Sequence, residues 1–549
     1  MNKWIAIAIL AAAQFVMVLD SSVMNVSITQ IAADLDTTIQ GVQVAITAYT
    51  LVMAAFMLAG AKMGDIWGRD RALAIGLAVY GLGSLITAIS PNLTVLLFGW
   101  SLVEGLGAVL VVPAIAALIA ANYEGKERAL AYALIGGVAA AAVAAGPLIG
   151  GWVTSTFTWR LVFVGEVVIV AFILLFRRRM KPAPRAEHVP KLDVVGATFS
   201  AVGLALIVFA ILQSSTWGWV RPANPPTING VEITPLGFSP VPFLILLGLG
   251  FLAALSSWED RRERLGQDAL VDLSMLRIPT LKAGVTTLGA QQLVLMGTFF
   301  VLPVYLQVVL GYDAFETGKK LFPLSIAMLI AALAGPRMAA RRSPKRVAQI
   351  GLLGLSIGAL VLVGTVDVEL NEAGFAAALA IFGIGAGLLA SQLGNVILSS
   401  VDQSRSSEAG GLQGTAQNLG ASLGTALIGA ILLSGLANGF SERVTQNPDL
   451  SQKTSQAVSA AVEEEGVDIL PVSQAEALLI DAGVPPDEAA VLAADYGAAQ
   501  LDALKQALGA VAVFALLAFW FTRKLPGAAA QGAPADDPTT ITRPATATT

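Results

Sequence analysis

Long apolar runs constrain this chain more than any other feature. A helix needs about 20 apolar residues to cross the hydrocarbon core of a bilayer. Fourteen such windows occur, and they begin near Trp4, Val42, Ala72, Leu93, Ala129, Leu161, Val194, Val241, Ala283, Leu321, Val347, Phe375, Leu412 and Ala507. Backbone groups in lipid must be hydrogen-bonded within the chain, and the windows lack the alternation of barrel strands. The sequence therefore predicts an all-α polytopic membrane protein with fourteen transmembrane helices.

The composition excludes several classes of function. The chain is 56% hydrophobic and 13% charged, so lipid is its main solvent. Its net charge is -5 and its basic residues are scattered over short loops, so we expect no nucleic-acid partner. There is no cysteine and His188 is the only histidine, which excludes thiol chemistry and a cysteine or histidine metal site. We expect no cofactor, no metal and no enzymatic activity.

The basic residues predict how the chain lies in the membrane. The first apolar run continues to about Ile28 and is too long for the core of a signal peptide, so we expect a retained span. Lysine and arginine are concentrated in alternate loops, among them 177–191, 261–277 and 341–346. This bias predicts that both termini are cytoplasmic. We expect a monomer that crosses the inner (plasma) membrane many times.

An internal repeat is one explanation of two similar loops, and chance similarity of basic loops is the other. The loops at 60–71 and 335–346 share glycine, a base, methionine, a small residue and a final arginine at matching offsets. The repeat predicts an N-terminal six-helix bundle in 1–190, two inserted helices in 191–279 and a C-terminal six-helix bundle in 280–524. The acidic segment 437–505 predicts an extracellular helical hairpin, and 525–549 a disordered cytoplasmic tail.

Three acidic residues lie inside apolar windows: Asp20 in span 1, Glu104 in span 4 and Glu166 in span 6. Each costs about 3 kcal/mol to insert, so each is a candidate functional residue. At about 1.5 Å per residue they lie about 12, 15 and 8 Å from the outer ends of their spans. If they face one cavity, they would exchange protons or bind a substrate cation. Alternatively, a hydroxyl, a backbone group or a path to water satisfies each one separately.

Small and amide side chains supply further candidates. Span 5 contains Gly146-Pro147-x-x-Gly150-Gly151, where small residues permit close helix contact and proline bends the helix. Such patterns are also common in ordinary membrane packing. Candidate cavity-lining residues are Asn25, Gln291, Gln292, Gln392 and Asn395. Ordinary hydrogen bonding between helices is the alternative for these amides.

Several motifs together resemble a known family. The run Gly60-x-x-Met63-Gly64-Asp65-x-x-Gly68-Arg69-x-Arg71 resembles the signature loop between spans 2 and 3 of the major facilitator superfamily. The glycine motif of span 5 resembles the antiporter motif of that superfamily. Three further runs are similar to motifs of its fourteen-helix drug:proton antiporter branch, the EmrB/QacA group: Leu19-Asp20-x-Ser22-Val23-x-Asn25-Val26, Trp159-Arg160-x-x-Phe163 and Leu192-Asp193-x-x-Gly196.

The resemblance implies roles for these residues. The loop residues would form a conformational latch at the cytoplasmic side: Gly60, Gly64, Asp65, Gly68, Arg69 and Arg71. Within it, Asp65 would face the positive N-terminus of span 13 near Gly410 and Gly411. Gly146, Pro147, Gly150 and Gly151 would shape the helix bend that favours exchange, and Asp20 would couple proton movement to a cationic drug.

The chain also departs from the branch. The family's span-4 motif carries an arginine and a glutamine, and here Ser101 and Glu104 stand at those positions before Gly105. Glu166 replaces the usual asparagine of span 6, and Ile66 and Asp70 replace bases of the loop signature. These differences predict a rearranged proton path with Glu104 as the substitute.

The resemblance favours proton-coupled efflux of amphipathic, cationic drugs or similar small molecules, driven by the proton gradient without a cofactor. An exporter or flippase of a lipid or lipid-linked envelope precursor is the first alternative. In that case the segment 437–505 would contact an envelope partner. A non-transporting membrane receptor or assembly factor is the alternative of another class.

Overall fold

The computed structural model describes residues 3–123, 125–177, 191–228, 231–402 and 405–527. Helices form almost all of this part of the chain. Their bounds are α1 (Lys3–Val26), α2 (Ile28–Asp34), α3 (Ile39–Trp67), α4 (Arg69–Ala88), α5 (Leu93–Leu96), α6 (Gly105–Asn122), α7 (Gly125–Thr156), α8 (Arg160–Arg177), α9 (Val194–Trp217), α10 (Pro240–Arg264), α11 (Pro279–Val304), α12 (Ala314–Arg341), α13 (Pro344–Val363), α14 (Glu372–Ser399), α15 (Ser406–Gln446), α16 (Gln452–Glu465), α17 (Val472–Asp481) and α18 (Pro486–Ala518).

Thirteen helical segments of the described chain are long and apolar enough to cross a membrane. They correspond to thirteen of the fourteen predicted windows. Helix α8 stands where the sixth span was predicted, but its 18 residues include Arg160, Glu166 and Arg177, and it is not among the thirteen. The all-helical prediction is confirmed, while the count of fourteen spans and the cytoplasmic position of the termini stay predictions.

The helices pack as two groups with a pair beside them. Helices α1, α3, α4, α6, α7 and α8 contact one another, and so do α11, α12, α13, α14, α15 and α18. Helices α9 and α10 pack together, and α9 also lies against α3 and α15. The predicted inserted pair therefore lies where α3 of the first group meets α15 of the second group.

One span is interrupted by an irregular helical segment. Between α5 and α6, residues Leu97–Glu104 form a π-helix, in which the backbone bonds run from residue i to i+5. Trp100 and Glu104 lie on this π segment and are buried. Because π segments disturb the regular α-helical register, they re-aim side chains, and they occur frequently at functional sites.

The acidic segment 437–505 contains the helices that its composition predicted. Helix α15 has 41 residues, about 60 Å, which is longer than a bilayer is thick. Helix α16 packs on α15, where the Ser455 hydroxyl donates to the Val444 carbonyl at 3.0 Å. Helix α17 packs on α18, and the Tyr496 hydroxyl of α18 donates to the Asp468 carbonyl at 2.7 Å.

Two strands add to the predicted elements, and two predicted segments lie outside the described residues. The short antiparallel strands β1 (Thr227–Ile228) and β2 (Val231–Glu232) lie in the loop between α9 and α10, and the sequence did not predict them. Most of the predicted disordered tail, residues 528–549, and the basic loop 178–190 lie outside the described residues.

Candidate functional site

Asp20, Glu104 and Glu166 come together inside the first group of helices. They belong to α1, the π segment and α8, and each side chain is at most 1% exposed. One carboxylate oxygen from each lies within 4.8 Å of the others. In the described chain, no lysine or arginine forms an ion pair with any of the three. The three acids therefore share one buried site, and neutral donors of neighbouring helices hydrogen-bond them there.

Ser84 of α4 lies between the two glutamates. Its hydroxyl oxygen is 3.0 Å from Glu104 Oε2 and 3.1 Å from Glu166 Oε2. The Tyr80 hydroxyl, one turn earlier on α4, donates to the same Oε2 of Glu166 at 3.2 Å. The second oxygen of each glutamate, Oε1, is buried without a hydrogen-bond partner. A buried carboxylate oxygen without a donor is costly, so the arrangement favours at least one protonated glutamate.

Asp20 is held by an aromatic pair. The indole N–H of Trp100 donates to Oδ1 and Oδ2 of Asp20, at 2.9 and 3.1 Å. The Trp100 ring stacks on Tyr49 of α3, with 4.7 Å between ring centroids and 3° between ring planes. Both rings are buried. The π segment thus contributes Trp100, which binds Asp20, and Glu104, a member of the acidic cluster.

Glycines make the close packing around the cluster possible. A Cβ atom built on Gly83 of α4 would lie 2.5 Å from the backbone nitrogen of Glu104, so only glycine lets α4 approach the π segment this closely. One turn away from Glu104 along the same span, Ser101 donates to the Ala45 carbonyl at 2.9 Å. The residue at the family's arginine position is therefore a buried hydroxyl that bonds the backbone of α3.

The glycine motif of α7 lies between two helices of different groups. Gly146 packs against the Ser22 side chain of α1, and Gly150 against Val23, whose Cγ2 atom would be 2.8 Å from an added Cβ. Gly151 faces the carbonyl of Ala314 on α12 so closely that any Cβ would clash with it. The motif therefore joins the helix that carries Asp20 to the second group of helices.

Hydrogen bonds close the end of the two groups that is predicted to be extracellular. The Gln307 amide nitrogen donates to the Val26 carbonyl at 2.6 Å, and the Thr29 hydroxyl donates to the Gln307 amide oxygen at 2.5 Å. At the end of α7, the Ser155 hydroxyl accepts from the Phe315 backbone N–H at 3.0 Å. These residues carry no sequence signal of their contacts, because their partners belong to distant parts of the chain.

The latch residues lie at the opposite end, between α3 and α4. Gly68 has a φ of 90°, which suits glycine, and it separates the two helices. Arg69 pairs with Asp65 at 3.5 Å and donates to the Ala117 carbonyl of α6 at 3.1 Å. Arg71 is exposed.

The remaining latch residues contact neighbouring helices. Gly60 packs against the backbone of Val109 on α6, and Gly64 faces Ala72 of α4. Asp65 and Gly411 line the same small cavity, so Asp65 lies near the start of α15. Asp70, which replaces a basic residue of the signature, pairs with Arg177 of α8 at 2.7 Å.

The loop after α10 connects the inserted pair to this latch. Leu270 and Val271 pack against Leu58 and Ala59 of α3. Asp272 pairs with Arg405, just before α15, at 2.9 Å. The loop therefore contacts both groups of helices at the end that is predicted to be cytoplasmic.

The Asp193 motif holds the inserted pair together. Asp193 caps α9 by accepting from the Gly196 N–H at 3.0 Å, and it also accepts from the indole of Trp258 on α10 at 2.9 Å. Arg262 of α10 lies 3.6 Å from the same carboxylate.

The Trp159-Arg160 motif joins the start of α8 to the end of α2. Both side chains donate to Asp34 at the end of α2, at 3.0 and 3.1 Å. Its partner Phe163 is fully buried and packs edge-on against Trp159.

The candidate cavity-lining amides take several positions. Gln291 of α11 is buried and donates to the Ala386 carbonyl of α14 at 3.3 Å, while the buried Gln392 donates to Ser391 at 2.9 Å. Asn25 donates to the Ser21 carbonyl one turn earlier in α1, at 2.8 Å. Gln292 is partly buried, and Asn395 is exposed.

Sequence reasoning missed the partners of the acids: Trp100, Ser84, Tyr80 and Tyr49. A usable signal was present for two of them. Tyr80 and Ser84 are four residues apart in an apolar window, so they share one face of a helix. Polar groups repeated on one face of a span indicate a polar partner on a neighbouring helix.

Comparisons with known proteins agree with the fold. The family model of the Major Facilitator Superfamily matches residues 10–425. The "Probable actinorhodin transporter" of Streptomyces coelicolor is 27% identical over 431 residues, which cover 76% of this chain and 70% of that protein. The "Multidrug efflux pump LfrA" of Mycolicibacterium smegmatis is 25% identical over 420 residues, 76% of this chain and 79% of that protein.

A solved structure gives the same overall arrangement. It is a bacterial homolog of the human lysosomal transporter Spinster, in an inward-facing and unoccupied conformation. The TM-score is 0.58 at 13% sequence identity, and the match covers 96% of this chain and 98% of that one. At this identity the likeness concerns the fold alone.

Proposed function

Because the chain belongs to the major facilitator superfamily, we propose that it exports amphipathic, cationic small molecules across the inner (plasma) membrane in exchange for protons. The protein is a membrane transporter and not an enzyme. Its relatives named above are a "Probable actinorhodin transporter" and a "Multidrug efflux pump", and the second name supports export as the direction. The sequence motifs support membership of the fourteen-helix drug:proton antiporter branch.

The cluster of Asp20, Glu104 and Glu166 carries the proposal. Three carboxylates within 4.8 Å in a buried site cannot all be ionised without a compensating charge, because like charges repel and burial penalises each one. Protons or a bound cation must supply that charge. Exchange of protons for a cationic substrate requires a site that holds one or the other, and this cluster has that property.

Trp100 and Tyr49 support the choice of an amphipathic cargo. Their stacked rings lie beside Asp20, so an apolar aromatic surface adjoins a carboxylate. A cationic amphipathic molecule offers an apolar body and a positive charge, and aromatic faces attract cations as well. In this conformation the site is closed, and the rings would have to separate to admit a substrate.

The glycine motif supports alternating access. Gly151 and Gly318 each face the backbone of the opposite helix, so α7 and α12 are in direct backbone contact near one end. Packing without side chains between two rigid groups permits a hinge-like change of angle. Opening this contact would expose the acids to one side of the membrane, and opening the latch would expose them to the other.

Transport assays in proteoliposomes test the proposal. We expect wild-type protein to move ethidium only when a pH gradient is imposed, and to stop when an ionophore collapses the gradient. Movement of a fluorescent lipid that is indifferent to the gradient would support the lipid or lipid-precursor alternative. Absence of both fluxes from correctly inserted protein would support a receptor or assembly factor.

A further inference from the structure

The position of Ser84 determines how many protons the two glutamates can hold. Its oxygen lies within hydrogen-bond distance of Oε2 of both Glu104 and Glu166, at 3.0 and 3.1 Å. A serine hydroxyl has one proton to donate. The Ser84 hydroxyl can therefore donate to one glutamate only. It forms a hydrogen bond with the other glutamate only if that glutamate is protonated and donates to the Ser84 oxygen.

Tyr80 breaks the symmetry between the glutamates. Its hydroxyl donates to Glu166 Oε2, the oxygen that also faces Ser84. Glu166 Oε2 thus has two hydroxyl donors within 3.2 Å, whereas Glu104 Oε2 has Ser84 at 3.0 Å, and Tyr80 also interacts with Glu104. Hydroxyl donors stabilise a charged carboxylate more than a neutral carboxyl. The two donors at Glu166 Oε2 stabilise a charge on Glu166, so the transfer starts with the proton on Glu104.

We propose that Ser84 is a positioning residue that relays one proton between Glu104 and Glu166. The inference rests on the proposed proton-coupled transport. In the transfer, the O–H bond of Glu104 breaks and its proton passes to the Ser84 oxygen, while the Ser84 proton passes to Glu166 Oε2. One negative charge moves from Glu166 to Glu104, and no other bond changes. The relay joins α8 to the π segment through α4.

The other polar groups around the relay do not replace it. Asp20 of α1 is bound by Trp100, so its oxygens already have a donor. Tyr49 of α3 stacks on Trp100 and also interacts with Asp20, and the Tyr80 hydroxyl, which donates to Glu166 at 3.2 Å, also interacts with Glu104. The Ser84 hydroxyl is closer, at 3.0 and 3.1 Å from one oxygen of each glutamate.

Infrared spectra of reconstituted protein provide the first test, without any substrate. The carbonyl band of a protonated carboxyl is followed as the bulk pH is stepped, and Glu104→Gln and Glu166→Gln assign the band. In Ser84→Ala we expect the titration midpoint to move by about one pH unit, because a carboxylate loses a charge-assisted hydrogen bond. Ser84→Thr keeps a hydroxyl, and its midpoint should stay close to that of wild type.

A matched control separates the relay from the general effect of losing a buried serine. Ser356 of α13 is 2% exposed and donates only to the Leu352 carbonyl of its own helix. Ser356→Ala should leave the band and its midpoint unchanged. Should Ser84→Ala fold poorly, Ser84→Cys fills similar space with a weaker donor and should move the midpoint in the same sense.

Gradient-driven ethidium flux is the second readout. Ser84→Ala should lower it about tenfold, while Ser84→Thr and Ser356→Ala retain it. A Ser84→Ala protein that titrates and transports like wild type overturns the relay. If wild type moves no ethidium under a gradient, the transport proposal fails, and the infrared titration still decides whether Ser84 links the glutamates.

Discussion

The indole N–H of Trp100 lies 2.9 and 3.1 Å from the two carboxylate oxygens of Asp20. This bond joins α1 to the π segment of the fourth span inside the first group of helices. Both side chains are buried, so the pair is protected from water. The stacked partner of Trp100, Tyr49, also interacts with Asp20. The position of Asp20 is therefore tied to the orientation of this aromatic pair.

Replacing Trp100 by phenylalanine should destabilise the protein and impair transport. The ring contact with Tyr49 is largely kept, but Asp20 loses the indole hydrogen bond, and losing a buried hydrogen bond to a carboxyl group costs about 1–3 kcal/mol. We expect a lower thermal unfolding midpoint in detergent and weaker ethidium flux. Trp219→Phe, in the exposed loop after α9, is the control and should change neither quantity. Equal stability of the Trp100→Phe protein and wild type would contradict the structural role assigned to this bond.

Neutralising an acid of the cluster should uncouple transport from protons. We expect Asp20→Asn and Glu104→Gln each to lower gradient-driven flux on the order of a hundredfold, as for loss of a proton-transfer group. Glu104→Gln introduces the glutamine of the family's span-4 motif. The arginine of that motif is still missing, because Ser101 stands at its position. Restoring one motif residue should therefore not restore coupling.

The control for these variants is Glu232→Gln. Glu232 is exposed in the short strand β2, far from the cluster in the chain, and its loss should leave flux unchanged. Undiminished gradient-driven flux in both Asp20→Asn and Glu104→Gln would show that the acids do not carry the protons.

Adding a methyl group at Gly83 should separate α4 from the π segment. The new Cβ would lie 2.5 Å from the Glu104 backbone nitrogen, which forces a backbone shift and costs about 1–3 kcal/mol. The shift would also lengthen both bonds of Ser84, which lies next to Gly83. Thermal unfolding and the infrared carboxyl band measure the two effects.

Gly136→Ala in α7 is the matched control for Gly83→Ala. A Cβ on Gly136 meets no atom within 4 Å, so alanine there should be neutral or stabilise by about 0.5–1 kcal/mol through its helix propensity. A Gly83→Ala protein as stable as Gly136→Ala would mean that α4 and the π segment are not packed this closely.

Enlarging Gly151 should hold open the end of the transporter that Ser155 helps to close. A valine at this position collides with the Ala314 backbone, so α7 and α12 cannot meet there. The chain has no cysteine, so a single Ser155→Cys reports accessibility cleanly. In the Gly151→Val background, a membrane-impermeant maleimide should label this cysteine faster than in the single variant.

Gly250→Val provides the comparison for the Gly151 experiment. Gly250 lies on α10, where a Cβ meets no atom within 4 Å, and the change should leave the labelling rate as it is. Slower labelling in the Gly151→Val protein, or no change, would contradict a closing contact between α7 and α12.

Much of the architecture could be predicted from the sequence because lipid imposes a simple rule. Apolar windows of bilayer length must be helices, and thirteen of the fourteen are found as candidate spans. The helices of the segment 437–505 were also predictable, since the turn at Gly483 precedes Pro486 and acidic residues that favour a helix start. Helix α8 illustrates the limit, because Arg160, Glu166 and Arg177 weaken its apolar signal, and Glu166 among them belongs to the acidic cluster.

The candidate site was only half predictable. Asp20, Glu104 and Glu166 were identified because charge inside a span is costly. Their partners were not, since a serine, a tyrosine or a tryptophan in a span costs little and gives no such signal. The π segment that carries Trp100 and Glu104 also has no sequence signature comparable to a cap or a proline.

The sequence by itself determined that this protein is a helical bundle in lipid with three costly acids. The cost of placing each residue in lipid determines those properties, and this cost depends on the residue type. Only the tertiary structure decided that the acids share one site within 4.8 Å, that Ser84 joins two of them and that Trp100 holds the third. Such contacts depend on helix rotation and on glycines such as Gly83, and packing between distant segments fixes both.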